Sequence, residues 1–157
     1  MYKEFYGLKE DPFNLTPDPQ FLFLSEKHRD AFKYLIHGIK ARKGFILITG
    51  EVGSGKTTLC RALLGKLGGE VDSALILNPH LSEKELLEAI IEDLGMEKEG
   101  ESETELLEQL RGFLLIKLNE GGNVVIIIDV PSVKLTKFEF LIRPLNVILS
   151  LKVVIYC

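Results

Sequence analysis

Cysteine is scarce in this chain: two residues in 157, Cys60 and Cys157. Two thiols cannot make a disulfide framework, and Cys60, set inside an apolar helical pattern, reads as a small buried residue rather than a reactive thiol. Long apolar runs are also missing. None approaches the ~20 residues that a membrane-spanning helix needs, and the opening Met1-Tyr2-Lys3-Glu4-Phe5-Tyr6 lacks the basic-then-apolar pattern of a secretory leader. Nor is there an excess of positive charge: the formal net charge is −4, which argues against a dominant nucleic-acid surface. There is no internal repeat and no low-complexity segment. What remains is 46% hydrophobic and 27% charged, ordinary for a globular chain and long enough for one domain with a real core.

Against this background one stretch stands out. The β-branched run Gly44-Phe45-Ile46-Leu47-Ile48-Thr49 leads into Gly50-Glu51-Val52-Gly53-Ser54-Gly55-Lys56-Thr57-Thr58, and a helical pattern follows from Leu59 to Leu67. Strand, G-x-x-x-x-G-K-T loop and helix in that order are the context a phosphate-binding P-loop requires. Gly50, Gly53 and Gly55 allow backbone conformations closed to other residues, so successive N–H groups can ring an anion. The helix start adds the positive end of its dipole. The expected nucleotide-binding residues are therefore Gly50, Glu51, Val52, Gly53, Ser54, Gly55, Lys56, Thr57 and Thr58. Lys56 is expected on the β- and γ-phosphates and Thr57 on Mg²⁺. Such a ligand pair suits a reducing, cytoplasmic compartment.

Residues 1–24 are rich in aromatics (Phe5, Tyr6, Phe13, Phe21, Phe23) and hold Pro12, Pro17 and Pro19. The prolines argue against a regular helix, and the aromatics need burial, so an extended arm pinned on the core is expected; part of it bordering an adenine is the functional alternative. Ser25 should cap a helix to about Ile39, with Ala31, Phe32, Leu35, Ile36 and Ile39 on one face. His28 and His37 read as structural residues rather than metal ligands. Ser73 to Asn78 reads as a short buried strand, followed by Pro79 and His80; His80 stands where a ligand could lie, though a loop histidine without a partner is more often a bystander. Ser82-x-x-Glu85 and Ser102-x-x-Glu105 both match a capping box ahead of a helical apolar pattern. Between Glu83 and Arg111 eleven acidic and three basic residues give a local net of −8, read as two solvated outer faces.

Gly121-Gly122-Asn123 turns into Val124-Val125-Ile126-Ile127-Ile128-Asp129, an apolar run expected to be buried on both faces of a parallel sheet. An aspartate at its end, downstream of a P-loop, matches the carboxylate that holds Mg²⁺ through a water. Lys56 and Asp129 are thus the expected catalytic residues, Thr57 and Asp129 the expected metal side. The water-activating glutamate often found beside such an aspartate is missing, since Val130-Pro131-Ser132 follow and the next acidic residue is Glu139. Composition also shifts: residues 130–157 carry four basic residues and one acidic. That tail is read as divergent, with one helix and one strand (Lys152 to Cys157).

Residues 1–129 resemble the N-terminal ATPase domain of the A component of the general (type II) secretion pathway, an ExeA-like AAA+ family. The resemblance runs through Phe5-Tyr6-Gly7-Leu8, Pro12-Phe13, Leu15-Thr16-Pro17-Asp18-Pro19, Leu24-Ser25 with His28, Gly44-Phe45, the P-loop, Asn78-Pro79, Leu81-Ser82, Glu85-Leu86-Leu87 and Ile126 to Asp129. It implies a three-layer α/β P-loop NTPase (AAA+, with an extra strand between the two motifs), a mostly parallel sheet incomplete at the C-terminus, and a domain order of arm (1–24), ATPase core (25–129) and divergent tail (130–157). It further implies ATP and Mg²⁺ as cofactors, ATP hydrolysis coupled to envelope secretion machinery, protein partners there, homo-oligomeric rings, and membrane attachment only through regions outside this chain; the missing basic patch, separately, speaks against a nucleic-acid partner. The family's Asp-Glu-Ala-Gln is replaced by Asp129-Val130-Pro131-Ser132, which a frameshifted or truncated gene product would explain. Losing a general base typically costs about 10²–10⁴ in rate, so weak turnover is expected. A non-hydrolysing nucleotide switch or scaffold is one alternative; a DNA-transaction helper or small-molecule kinase is the other.

Overall fold

A computed structural model of the chain describes residues 2–8, 24–41, 43–78, 80–129, 141 and 151–156. Its elements, in chain order, are α1 (Tyr2–Tyr6), α2 (Glu26–Lys40), β1 (Phe45–Ile48), α3 (Lys56–Leu67), a 3₁₀ turn (Gly68–Glu70), β2 (Val71–Ile76), α4 (Glu83–Asp93), α5 (Glu103–Asn119), β3 (Asn123–Asp129) and β4 (Leu151–Tyr156). The four strands form one sheet in the order β1-β4-β3-β2, and every pairing is parallel. Parallel neighbours need crossover connections; α4 and α5 supply the one from β2 to β3, and the described helices and sheet make three layers.

The layering follows from the period of two along each strand. In β3, Val124, Ile126 and Ile128 face α4 and α5, joining Leu86, Leu87, Ile90, Leu106, Leu110 and Leu114, with Ala74 and Ile76 of β2. Val125 and Ile127 face the other way, onto Leu35 and Ile39 of α2 and Leu59, Cys60 and Leu63 of α3. All five are fully buried, so the run is continuous in sequence because both faces are covered. Each such side chain contributes about 1.5–3 kcal/mol by leaving water. Cys60 is a packing residue of this second core, as the sequence suggests. On that side α2 crosses β1 so closely that a Cβ on Gly38 would lie 2.6 Å from Ile46 Cδ1, a packing reason for a glycine inside a helix.

Both capping boxes form. Ser82 Oγ accepts from Glu85 N–H and a Glu85 carboxylate oxygen accepts from Ser82 N–H; Ser102 and Glu105 repeat the arrangement. These bonds hold the carboxyl groups of Glu85 and Glu105 below the usual glutamate range. Between the helices the chain runs back along α4: Lys98 pairs with Glu88 at 3.2 Å, and Gln109 Nε2 donates to the Glu97 carbonyl. Glu83 and Glu103 therefore meet, and partial loss of water, then the neighbouring carboxyl, pushes the Glu83 carboxyl up.

Two sequence expectations need amending here. Residues 2–6 form a short helix instead of extended chain, with Phe5 80% and Tyr6 68% exposed. A proline restricts itself and the residue before it, so Pro12 has no hold on residues 2–6. Phe13, Phe21, Phe23 and the three prolines lie outside the described residues, as do Val130, Pro131 and Ser132. The strand expected at Lys152 to Cys157 spans Leu151–Tyr156, and it is an interior strand of the sheet. Among the described residues no helix is long and apolar enough to cross a membrane.

Candidate functional site

In a parallel sheet, ligands gather beyond the carboxyl ends of the strands. Here β1 ends at Ile48 and β3 at Asp129, and both pair with Tyr156 of β4. One strand thus separates the segment that launches the glycine loop from the one that carries Asp129, a spacing of about 9–10 Å.

The loop itself runs from Thr49 to Gly55. Gly53 (φ 80°) and Gly55 (φ 85°) take the left-handed conformation, which costs side-chain-bearing residues energy. Gly50 matters for another reason: a Cβ there would sit 3.0 Å from Ser54 Oγ and 3.6 Å from Lys56 Cδ, inside the hollow of the loop. The hollow faces the N-terminus of α3, whose first N–H groups have no partner within the helix. Lys56 folds over it. Its Nζ donates to the carbonyls of Gly50 (2.8 Å) and Glu51 (2.7 Å) and to Ser54 Oγ at 3.4 Å. Ser54 N–H closes a turn onto Glu51 O, leaving Val52 at the tip, 95% exposed. Thr58 lies half-buried in the first turn of α3.

Thr57 and Asp129, 72 residues apart, meet. The Thr57 hydroxyl donates to Asp129 Oδ2 in a short hydrogen bond, which ties the first turn of α3 to the end of β3. A hydroxyl and a carboxylate beside an anion cradle are hard oxygen donors of the kind Mg²⁺ takes, one or two from protein and the rest from phosphates and water. Among the described residues no group of three or more His, Cys, Asp and Glu is placed to hold a metal.

A cavity of about 590 Å³ opens beside the loop, lined among others by Ser25, His28, Thr49, Gly50, Ser54 and Lys56. His28 enters it from α2. Its Nε2 lies 2.7 Å from the Ser54 carbonyl oxygen and its Nδ1 2.8 Å from Ser25 Oγ. The sequence marks His28 as structural and gives no local signal for this contact; only its position three residues after the helix cap hints that the ring is oriented. His80 is exposed, its N–H bonded to Asn78 Oδ1, and it is not part of the cavity lining. A cavity of similar size, about 600 Å³, lies between α2 and α3 and includes Asn123 at the start of β3; none of the loop's chemistry reaches it.

Comparison with known proteins bears on the fold and the family. A family model described as an AAA domain matches residues 39–146. General secretion pathway protein A of Aeromonas hydrophila is 42% identical over 130 residues, covering 82% of this chain and 24% of the relative; the chain spans about a quarter of that protein's length. Among solved structures, the Aeropyrum pernix ORC2 protein in ADPNP–ADP complexes superposes with a TM-score of 0.62 at 16% identity, over 94% of this chain and 43% of that one. Cdc6p of Pyrobaculum aerophilum gives 0.60 at 16% identity, over 93% and 41%. At such identities the likeness speaks for the P-loop NTPase fold alone. From the glycine loop, the parallel sheet and the matched span together, the chain belongs to the AAA domain family, and within it resembles the general secretion pathway protein A.

Proposed function

We propose that this chain binds Mg-ATP at the loop between β1 and α3 and acts as the nucleotide-driven module of an envelope secretion or assembly apparatus. The observation that carries the reading is the convergence of Lys56, Thr57 and Asp129 on one glycine-built anion cradle. Bound nucleotide supplies a transferable phosphoryl group; the chain's own residues position it. Amides of the loop and of the first turn of α3 would donate to the phosphate oxygens. Lys56 leaves the Gly50 and Glu51 carbonyls for phosphate oxygens, a substitution of partners rather than a gain of unmatched charge. Thr57 and Asp129 are the residues that would hold the cation, which would offset the phosphate charge.

Turnover in this reading is slow. In the sequence Asp129 is followed by Val130, Pro131 and Ser132, none of which accepts a proton from water at neutral pH. That same fact favours a second reading, a switch that binds and releases nucleotide without hydrolysing it. Partners of secretion type and a site near the membrane through them are supported by the 42% identity to the Aeromonas protein, and assembly into homo-oligomers is part of the same proposal.

Calorimetric titration with Mg-ATP, paired with a phosphate-release assay, tests it. Wild-type protein should bind and Lys56→Ala should lose about 10–150-fold in affinity, the worth of one charge-assisted hydrogen bond. Slow release abolished in Lys56→Ala supports the ATPase; binding without release supports the switch; no binding by the wild type refutes both.

A further inference from the structure

We infer that His28 is a positioning residue for the phosphate cradle, acting through the Ser54–Gly55 peptide; this deepens the nucleotide reading above and rests on it. The chemistry of the contacts fixes the ring. A carbonyl oxygen only accepts, so at 2.7 Å from Ser54 O the Nε2 atom must carry a hydrogen and donate it. In the neutral ring Nδ1 is then an acceptor, and the Ser25 hydroxyl donates to it at 2.8 Å. Ser25 Oγ accepts in turn from the His28 backbone N–H at 3.3 Å. Every donor in this chain of bonds has an acceptor, and the ring is held at both nitrogens.

The consequence lies in the loop. In a trans peptide the C=O and the following N–H point in opposite directions. Pinning the Ser54 carbonyl toward α2 therefore aims the Gly55 N–H, the N-cap amide of α3, away from α2. Gly55 sits at φ 85°, ψ 16°, where glycine moves easily to other conformations. A peptide between Ser54 and a left-handed glycine is prone to flip, and a flip would present a carbonyl, not an amide, to the phosphates. His28 is the side chain placed to stop it, 26 residues away in sequence. Its cap partner Ser25 links this restraint to the first turn of α2.

Titration of the full chain with Mg-ADP provides the test, since ADP binding does not depend on turnover. His28→Ala should weaken binding roughly tenfold, the worth of one pre-set hydrogen bond. His28→Gln, whose Nε2 reaches about as far, should recover most of the loss. Melting temperature without ligand should differ little between the two variants, which separates positioning from a general loss of fold. A second measurement needs no variant: long-range ¹H–¹⁵N spectra of the wild-type imidazole at pH 8 should report the Nε2–H tautomer. An Nδ1–H ring would overturn the inference. So would His28→Ala binding Mg-ADP as the wild type does while Lys56→Ala does not, and that result would leave the nucleotide reading standing. A wild type that binds no Mg-ADP removes both.

Discussion

Replacing Asp129 by asparagine separates the two tasks that the short Thr57–Asp129 contact combines. The amide keeps an oxygen where the carboxylate has one, so the Thr57 hydroxyl retains its acceptor and the link between α3 and β3 survives. Unliganded stability should then stay within about 0.5 kcal/mol of wild type. Asp129→Ala removes the acceptor altogether and should cost about 0.5–1.5 kcal/mol, a fall in melting temperature of roughly 1–6 °C for a chain of this size. Ligand binding should respond differently. With Mg²⁺ present, asparagine forfeits the charge on the cation, about 1.5–3 kcal/mol for a charge-assisted partner, or roughly 10–150-fold in ADP affinity. With EDTA the order should reverse, because a carboxylate near phosphates repels them and the amide does not. The assay is calorimetric ADP titration in both buffers, beside thermal unfolding of the apo proteins. If Asp129→Asn kept the full magnesium dependence of the wild type, or lost equal affinity in both buffers, the assignment of Asp129 to the cation would be wrong.

The capping boxes should each matter in proportion to one lost N-cap: Ser82→Ala and Ser102→Ala are each expected to lower unfolding free energy by about 0.5–2 kcal/mol in urea titrations. Their glutamates set a pH dependence whose sign follows from the direction of the shifts. Glu85 and Glu105 have carboxyl pKa values lowered by the bonds from Ser82 and Ser102, so their contribution is present above the unfolded value of about 4.3 and vanishes as pH falls through the folded one; the stability gap between wild type and Glu85→Gln, clear at pH 7, should close under acid. In the core facing α4 and α5, Ile126→Ala removes a fully buried side chain and should cost about 2–5 kcal/mol by chemical denaturation.

The elements most legible in the sequence are those whose cause is local. The capping boxes needed only four consecutive residues each, and the glycine loop carried its strand and helix with it. Asp129 was legible because a doubly buried strand must read as an unbroken aliphatic run, and Val124 to Ile128 do. What the residues could not disclose was set by contacts across the chain. His28 meets Ser54 only once α2 has packed beside β1, a placement that no spacing encodes. The last strand was visible as Val153-Val154-Ile155, but its seat between β1 and β3 follows from pairing with residues 108 positions away in β1 and 27 positions away in β3. At the other end, proline density suggested extended chain for residues 2–6, where the proline effect does not reach.

The order β1-β4-β3-β2 gives residues 151–156 a temporal role as well as a spatial one. The strand leading to the lysine and the strand bearing the aspartate share no ladder of their own; each is hydrogen-bonded to the segment synthesised last of the three. Until that segment docks, no strand ladder joins β1 to β3, and only the packing of Val125 and Ile127 on α2 and α3 relates the two. Long-range closure of this sort is slow to form, and its completion is the moment at which the two halves of the cradle acquire a common frame.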